Sequence, residues 1–286
     1  MFKIFYLHGY IWFLLKVFYY TKAVSRWAKC QNDDFSFVPT MGALHAGHLA
    51  LVEKAKALGK PVLVSVFVNP AQFNNEDDLL KYPRTISPDL RLLNDAGVDA
   101  VFLPVTSDLY PTDLADIYLD LGELDHVFEG QHRPGHFKGV VKVLHRLFSV
   151  VNPADVFFGQ KDLQQCLVVE KLVAACFSNI RQHNIPTQRD QTTGLALSSR
   201  NARLSSGGLI KAGNIHKAMQ MVAKDDNVEG ARTLLKEQGI EIEYLETVAL
   251  PDMVQATDTS LKKAVVFAGY LEGVRLIDNL VTAGDI

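Results

Sequence analysis

Short apolar runs and helix-spaced apolar positions take turns along the first two-thirds of the chain. FSFV (35–38) reads as a strand. HLALVEKAKALG follows, with Leu49, Val52, Ala55 and Leu58 at helical spacing and Gly59 as a C-terminal stop. PVLVSVFV (61–68) is a continuous valine-rich run, the pattern of a strand buried on both faces of a parallel sheet. SPDLRLLNDAG (87–97) predicts a helix with Ser87 as N-cap, Pro88 at its first position and Gly97 at its end. VDAVFLP (98–104) is the next strand, residues 139–151 a helix, ADVFFG (154–159) a strand and KDLQQCLVVEKLVAAC (161–176) a helix. Strand–helix alternation of this kind predicts an α/β protein built on a Rossmann-like, doubly wound parallel sheet.

The pattern changes after Pro186. A polar stretch, TQRDQTTG, leads to LSSRNARLS, then to helices near 205–224 and 228–238 and apolar runs at 240–250 and 264–271. Helices followed by clustered strands predict a smaller C-terminal α+β domain. The expected division is therefore an atypical apolar extension (1–16), a Rossmann-like nucleotide- and substrate-binding domain (17–186) and a smaller lid or dimer-type domain (187–286).

The opening, MFKIFYLHGYIWFLLKVFYY, invites a membrane or signal reading. His8, Gly9 and Lys16 interrupt it, so no run reaches the ~18–20 apolar residues of a spanning helix. No small-residue cleavage site follows. From Lys16, KVFYYTKAVSRWAK already reads as a strand leading into an amphipathic helix. Residues 1–15 are therefore expected to be an extension, or a mistaken translation start, ahead of a soluble enzyme, with a membrane anchor as the alternative.

Composition narrows the classes. The 286 residues are 48% hydrophobic, enough for two unequal domains and far from a disordered chain. The formal net charge of -3 offers no basic field for nucleic acid. The three cysteines, Cys30, Cys166 and Cys176, form no CxxC pair, which fits a reducing cytoplasm and no disulfide framework or structural zinc.

The chemistry concentrates in five strings. PTMGALHAGHLAL (39–51) follows one strand and opens a helix. Gly42 and Gly47 let backbone approach a ligand, and exposed N–H groups at a helix start favour anions such as phosphate. His45 and His48 add donors that can follow charge building on an α-phosphate. The spacing also suits zinc, but no third ligand stands nearby. There is no G-x-x-x-x-G-K-[ST] loop and no G-x-G-x-x-G. VFVNPAQFN (66–74) places Asn69 and Gln72 past the end of a buried strand, where open α/β sheets bind ligands. An Asn-Pro turn with incidental amides explains that string equally well. In FFGQKDLQQ (157–165), Lys161 would aim a cation at phosphates, Asp162 would accept from ribose hydroxyls, and Gln165 shares the helical face of Lys161. A capped helix with a solvated lysine fits as well. GLALSSRN (194–201) offers hydroxyls and a guanidinium suited to β- and γ-phosphates, or else a polar linker; at the domain boundary it would serve as a closing loop that excludes water. FEGQHRPGHFKGV (128–140) reads as a mobile loop bordering the site, with His132, Arg133 and His136 either at the site or solvated. No G-x-S-x-G elbow and no cysteine nucleophile signature appears.

Together these strings resemble the pantothenate synthetase (pantoate–β-alanine ligase) family of the HxGH nucleotidyltransferase superfamily, from about Val17 to the end of the chain. PTMGALHxGH, VNPxQF, YPRT with Asp89 after it, RPGHFxGV, FGxKDxQQ, GLALSSRN and VRLIDN occur in family order. The resemblance implies a cytoplasmic homodimer that uses ATP and Mg²⁺ to make pantoyl-adenylate and diphosphate, after which β-alanine displaces AMP. It implies that Met41, Gly42, Ala43, Leu44, His45, Ala46, Gly47 and His48 bind ATP, with His48 the proton donor and His45 its partner at the phosphates. Gly159, Gln160, Lys161 and Asp162 would hold ribose and phosphate, with Lys161 also catalytic. Leu197, Ser198, Ser199 and Arg200 would close over the triphosphate, and the backbone at Arg189 would touch the adenine. Gln72 and Gln165 would bind pantoate, Gln72 would border the β-alanine site, and Asn69 and Tyr82 would help there. The metal ligands are not implied.

Two departures stand out. Asp190-Gln191-Thr192-Thr193-Gly194 replaces the family's Arg-Glu-x-Asp-Gly-like run, and Lys142 stands where threonine is usual. A related cytidylyltransferase or adenylyltransferase is a competing reading, opposed by neutral Gln72 and Gln165 where a phosphate acceptor would want a cation. A non-catalytic nucleotide-fold binding protein is another, opposed by intact His45, His48, Lys161, Ser198, Ser199 and Arg200.

Overall fold

The computed structural model describes residues 15–73, 76–256 and 262–282, with no side-chain description for 76–78. The apolar extension (1–16), apart from Leu15 and Lys16, therefore lies outside the described residues. Among these no helix is long and apolar enough to cross a membrane.

The first sheet has six strands: β1 (Lys16–Phe18), β2 (Ser36–Thr40), β3 (Val62–Val66), β4 (Ala100–Phe102), β5 (Asp155–Gly159) and β6 (Arg181–Ile185). Their order is β1-β4-β3-β2-β5-β6, and every pairing is parallel. Helices α1 (Thr21–Cys30), α2 (Ala46–Lys56), α3 (Glu76–Lys81), α4 (Ile86–Asp95), α5 (Thr106–Leu109), α6 (Phe128–His132), α7 (His136–Val151) and α8 (Leu163–Cys176) lie between the strands along the chain. The valine run of β3 is buried as a central parallel strand requires. Strand β6 carries no apolar signature. It sits at the sheet edge, where Gln182, His183 and Asn184 bond to Cys166, Asp155 and Glu170.

Helix α4 begins earlier than its sequence suggests. Its cap position is Thr85, not Ser87, because the Thr85 hydroxyl turns to the buried Asp89 carboxylate. Pro88 still falls within the first turn, where its missing N–H costs nothing. Gly97 ends the segment in the left-handed region, φ +70.

Residues 128–140 are not a mobile loop. They form α6 and the start of α7, and their glycines are contact points. A Cβ at Gly130 would stand 2.5 Å from the Leu124 carbonyl oxygen, and one at Gly139 would overlap that of Ala71.

The smaller part follows. Helices α9 (Ser206–Ala212), α10 (Asn214–Asp225) and α11 (Val228–Glu237) lead to an antiparallel sheet of order β10-β9-β7-β8, made of β7 (Glu241–Ala249), β8 (Val254–Gln255), β9 (Lys263–Leu271) and β10 (Val274–Val281). One set of its residues, Leu245, Val265 and Phe267, packs under Ile215, Met219 and Leu235 of α10 and α11. Another set, Tyr244, Val248, Val266 and Ala268, joins the apolar core of the first sheet with Phe137 and Leu167. The fold is thus the expected parallel-sheet α/β unit with a smaller α+β unit packed against it.

Candidate active site

Strand order reverses between β2 and β5, and ligands of open α/β sheets bind beyond the strand ends at such a point. A cavity of about 220 Å³ opens there. Met41, His45, Gly47 and His48 reach it from the turn after β2, Asn69 and Gln72 from the turn after β3, and Gly159, Lys161, Asp162 and Gln165 from the turn after β5. Tyr82, Leu197, Ser198, Ser199 and Arg200 complete it from outside. Long stretches of intervening chain separate these groups in sequence; the parallel sheet brings them to one edge.

The turn after β2 is held by a side chain distant in sequence. Gly42 (φ +83) and Ala43 (φ +50) are both left-handed. The buried Asp89 carboxylate accepts the N–H groups of Ala43 (3.0 Å) and Leu44 (2.9 Å), and the Thr85 hydroxyl donates to it as well. Gly42, Ala43, Leu44 and Ala46 therefore stand behind the cavity wall rather than on it.

The expectation of free N–H groups at the start of α2 is corrected here. His45 Nδ1 accepts the Gly47 N–H at 3.1 Å, and His48 Nδ1 accepts the His45 N–H at 3.3 Å, a reciprocal cap. Those backbone donors are spent within the helix. A ring nitrogen that accepts carries no proton, so each imidazole holds its proton on Nε2. The rings lie 4.1 Å apart, centroid to centroid. Burial, then the Lys161 charge, lowers the His45 pKa to about 4; burial, then His45 and Lys161, lowers that of His48 to about 3. Both rings are neutral donors at neutral pH. Gly47 makes room for the pair, since a Cβ there would meet His45 Cε1 at 2.8 Å.

Across the cavity, Asn69 is committed to protein. Its Nδ2 donates to Gln72 Oε1 and to the Gly139 carbonyl, 3.1 Å each, and its Oδ1 accepts from Ala71 N and the Tyr110 hydroxyl. Gln72 has its Nε2 only 3.0 Å from Met41 Sδ, a weak acceptor, so that amide keeps donor capacity. Gln165 lines the same cavity, half-buried, from the first turn of α8. The Tyr82 hydroxyl lies 3.4 Å from Ser199 Oγ. Val140, Val143, Leu144 and Leu147 of α7 give the cavity an apolar wall.

On the Lys161 side, Asn279 donates to the carbonyls of Gln160 and Lys161 and so shapes the turn that presents Lys161. Arg189 pairs through its side chain with Asp278 (2.5 and 2.9 Å), and its backbone bridges to Ala196. Pro186, Thr187 and Gln188, just before it, form the cavity edge. Ser198 Oγ accepts the Arg200 N–H at 3.2 Å and caps the short helical turn from Ser199 to Arg203. A second, polar cavity of about 470 Å³ adjoins the first and shares Arg133, Lys161, Asp162, Ser198 and Arg200 with it.

Both departures noted in the sequence lie outside these cavities. Asp190 Oδ1 accepts from Thr192 N, Thr193 N and Thr193 Oγ1, so the altered run is a self-capped surface turn. Lys142 pairs with Asp116 at 2.5 Å and stands over the Tyr110 ring.

Sequence reasoning gives no definite role to several contributors. Asp89 reaches the Leu44 N–H across 45 residues of chain. Asp278 and Asn279 are a buried polar pair, and Arg133 and His136 lie in the string that reads as a loop. A polar pair inside an otherwise apolar stretch is the readable signal for Asp278 and Asn279.

Comparison with known proteins agrees with this fold. The family model described as pantoate-beta-alanine ligase matches residues 16–281. A pantothenate synthetase of Alteromonas mediterranea is 39% identical over 271 residues, covering 91% of this chain and 95% of that protein. One from Cytophaga hutchinsonii is 43% identical over 230 residues, 77% of this chain and 81% of that protein. A pantothenate synthetase structure from Thermus thermophilus superposes with a TM-score of 0.88 at 35% identity, covering 94% of this chain and all of that one (100%). The Francisella tularensis pantoate-beta-alanine ligase, solved as a complex with beta-gamma ATP and beta-alanine, gives 0.80 at 34% identity, over 94% and 98% of the two chains.

Proposed function

The chain belongs to the pantoate–β-alanine ligase family, and from that premise we propose how its residues divide the work. It is an ATP-dependent ligase that condenses pantoate with β-alanine. In the first step a pantoate carboxylate oxygen attacks the α-phosphorus of ATP, and the bond to the β-phosphate breaks, giving pantoyl-adenylate and diphosphate. In the second, the β-alanine amine attacks the acyl carbon, loses a proton and expels AMP.

The carrying observation is the pair of neutral imidazoles beside Lys161, facing the Gln72–Gln165 amides across one cavity. Nε2–H donors of His45 and His48 stabilise charge on the α-phosphate oxygens as the fifth bond forms. As neutral rings they donate hydrogen bonds from Nε2. Lys161 adds a point charge at the bridging and terminal phosphate oxygens, and Ser198, Ser199 and Arg200 hold the distal phosphates. Gln72 and Gln165 take pantoate's hydroxyl and carboxylate without adding charge beside a triphosphate, and the α7 valines and leucines receive its apolar carbon body. Holding carboxylate and α-phosphate together supplies the larger part of the acceleration.

Mg²⁺ enters with ATP. It would be held mainly by phosphate oxygens and water with one or two carboxylates, and among the described residues no cluster of three or more ligating side chains forms. Asp162, half-exposed, is the carboxylate among the described residues lining the first cavity and fits that sparse role.

The division at Pro186, a cytoplasmic site of action and a homodimer belong to the same proposal. Two distinct sheets support the division. Free cysteines at 30, 166 and 176 fit a reducing compartment. Sedimentation of the full chain tests the dimer.

The reaction reading is tested by isotope exchange. Labelled diphosphate should enter ATP only when pantoate is present, and without β-alanine. Exchange without any acid, or none with pantoate, would overturn the adenylate step.

A further inference from the structure

Glu129, on α6, is a buried carboxylate at the seam between the two sheets, 7% exposed. From the second sheet, Arg275 clamps it with two bonds, Nη1 to Oε2 at 2.9 Å and Nη2 to Oε1 at 2.6 Å. The Tyr244 hydroxyl of β7 donates to Oε1 at 2.8 Å. Arg275 is itself held by Glu243, on the neighbouring segment of β7. Burial opposes ionisation of Glu129, but Arg275 holds its carboxyl down at about 2.

On its other side Glu129 meets Arg133, which lines the cavity. Arg133 Nη1 lies 3.6 Å from Glu129 Oε2 and 3.0 Å from His136 Nε2. His136 Nδ1 stands 2.7 Å from the Gln72 carbonyl oxygen, which can only accept. The proton is therefore on Nδ1, and Nε2 accepts from Arg133. Burial, then Arg133, lowers the His136 pKa to about 4, so the ring stays neutral and keeps both bonds. The chain of contacts runs from β10, through Glu129, Arg133 and His136, to the main chain of the turn that carries Gln72. A surface ion pair could be lost without consequence. Here every member is buried or half-buried, and removal of one partner leaves the next uncompensated.

We propose that Arg275 and Glu129 are positioning residues for pantoate: anchored in the second sheet, they hold Arg133 and, through His136, fix the Gln72 turn against the cavity. This rests on the pantoate role of Gln72 proposed above. It makes the hydroxy-acid cradle dependent on the C-terminal sheet by a route distinct from the one through which Asp278 and Asn279, on the same strand as Arg275, anchor the ATP side.

The test is steady-state kinetics of the full chain, with pantoate and ATP varied in turn. Glu129→Gln keeps shape but loses charge. It should raise the pantoate KM about tenfold and leave the ATP KM within about twofold, the split expected when one substrate's positioning alone is weakened. Arg275→Ala should do the same, with Arg275→Lys recovering part of the loss. Tyr244→Phe removes one donor and should give about a two- to threefold rise. It carries the test if Glu129→Gln does not fold, as judged by its thermal melt. His136→Asn keeps a donor for the Gln72 carbonyl but loses the contact to Arg133. In that background Glu129→Gln should add little, since neighbours in one relay are not additive. Equal rises in both KM values, or an unchanged pantoate KM in folded Glu129→Gln or, failing that, Tyr244→Phe, would overturn the relay. Gln72→Ala separates the two claims. If it leaves the pantoate KM unmoved, the substrate reading fails and the relay with it. If it moves the KM and the Glu129 variant does not, the relay alone fails.

Discussion

Asn279 Nδ2 donates to the main-chain carbonyls of both Gln160 and Lys161, at 2.8 Å each. A side chain near the end of the second sheet thus sets the turn from which Lys161 enters the cavity. Asn279→Ala leaves two carbonyls without their partner. Stability should fall by about 2 kcal/mol, the cost of unsatisfied buried acceptors. The ATP KM should rise and the pantoate KM should not; denaturant unfolding and two-substrate kinetics measure both.

Asp89 touches no ligand in the proposed arrangement, yet it holds the left-handed turn before the histidines. Asp89→Asn replaces one accepting oxygen with a donating NH₂, which would face an N–H group. Adenylation should slow about tenfold or more, at about 1–3 kcal/mol of stability. Single-turnover formation of AMP, with a parallel melt, reads both. A rate equal to that of the unaltered chain would mean the turn keeps its shape without the carboxylate.

Gly139 lets α7 touch the turn bearing Asn69 and Gln72. Any Cβ there meets backbone of Ala71 and Gln72, which cannot swing aside as a flexible side chain would. Gly139→Ala should cost about 1–3 kcal/mol, as overpacking does, and raise the pantoate KM. Kinetics and calorimetry of this one variant would show whether the two helical turns share a fixed contact.

How much is readable in the sequence follows from where each interaction lies. The valine run of β3 announces itself because a strand buried on both faces has little room for polar residues. Strand β6 does not, since an edge strand can be RQHNI and satisfy itself sideways. Strand β10 escapes the apolar pattern because Asp278 and Asn279 are buried within it, serving the site rather than the sheet. His45 and His48 are legible because their chemistry is local, confined to one helix start. Asp89 is not, because its bond to Leu44 spans 45 residues. The 128–140 string misleads for a physical reason. Glycine is chosen for freedom in loops and for close approach in packed turns, and sequence alone does not distinguish the two uses.

The histidine pKa values give a signed pH prediction. His48, at about 3 in the fold against 6.5 when unfolded, refuses a proton that the unfolded chain accepts. Its contribution to stability is complete above pH 6.5 and is lost as pH falls from about 6.5 towards 3, at up to about 1.4 kcal/mol per pH unit. Urea unfolding between about pH 6 and about pH 4.5 should therefore show a shallower pH slope for His48→Gln than for the unaltered chain. The adenylation rate should show no acid limb near the ordinary histidine value of about 6.5 arising from either imidazole.

Loss of the ring itself is a separate matter. His48→Ala should cut adenylation by roughly 10²–10³, as for other single donors aimed at developing charge. Rapid-quench measurement of pantoyl-adenylate formation would show it, and a near-normal rate would remove His48 from the chemistry.

The central claim is that the paired imidazoles face the α-phosphate. A crystal structure with a non-hydrolysable ATP analogue tests it most directly. The account predicts Nε2 of His45 and of His48 within hydrogen-bonding distance, about 2.7–3.2 Å, of phosphate oxygens, with Gln72 and Gln165 left open for the acid. A triphosphate bound away from both rings, or rings turned so that Nδ1 faces the nucleotide, would contradict it.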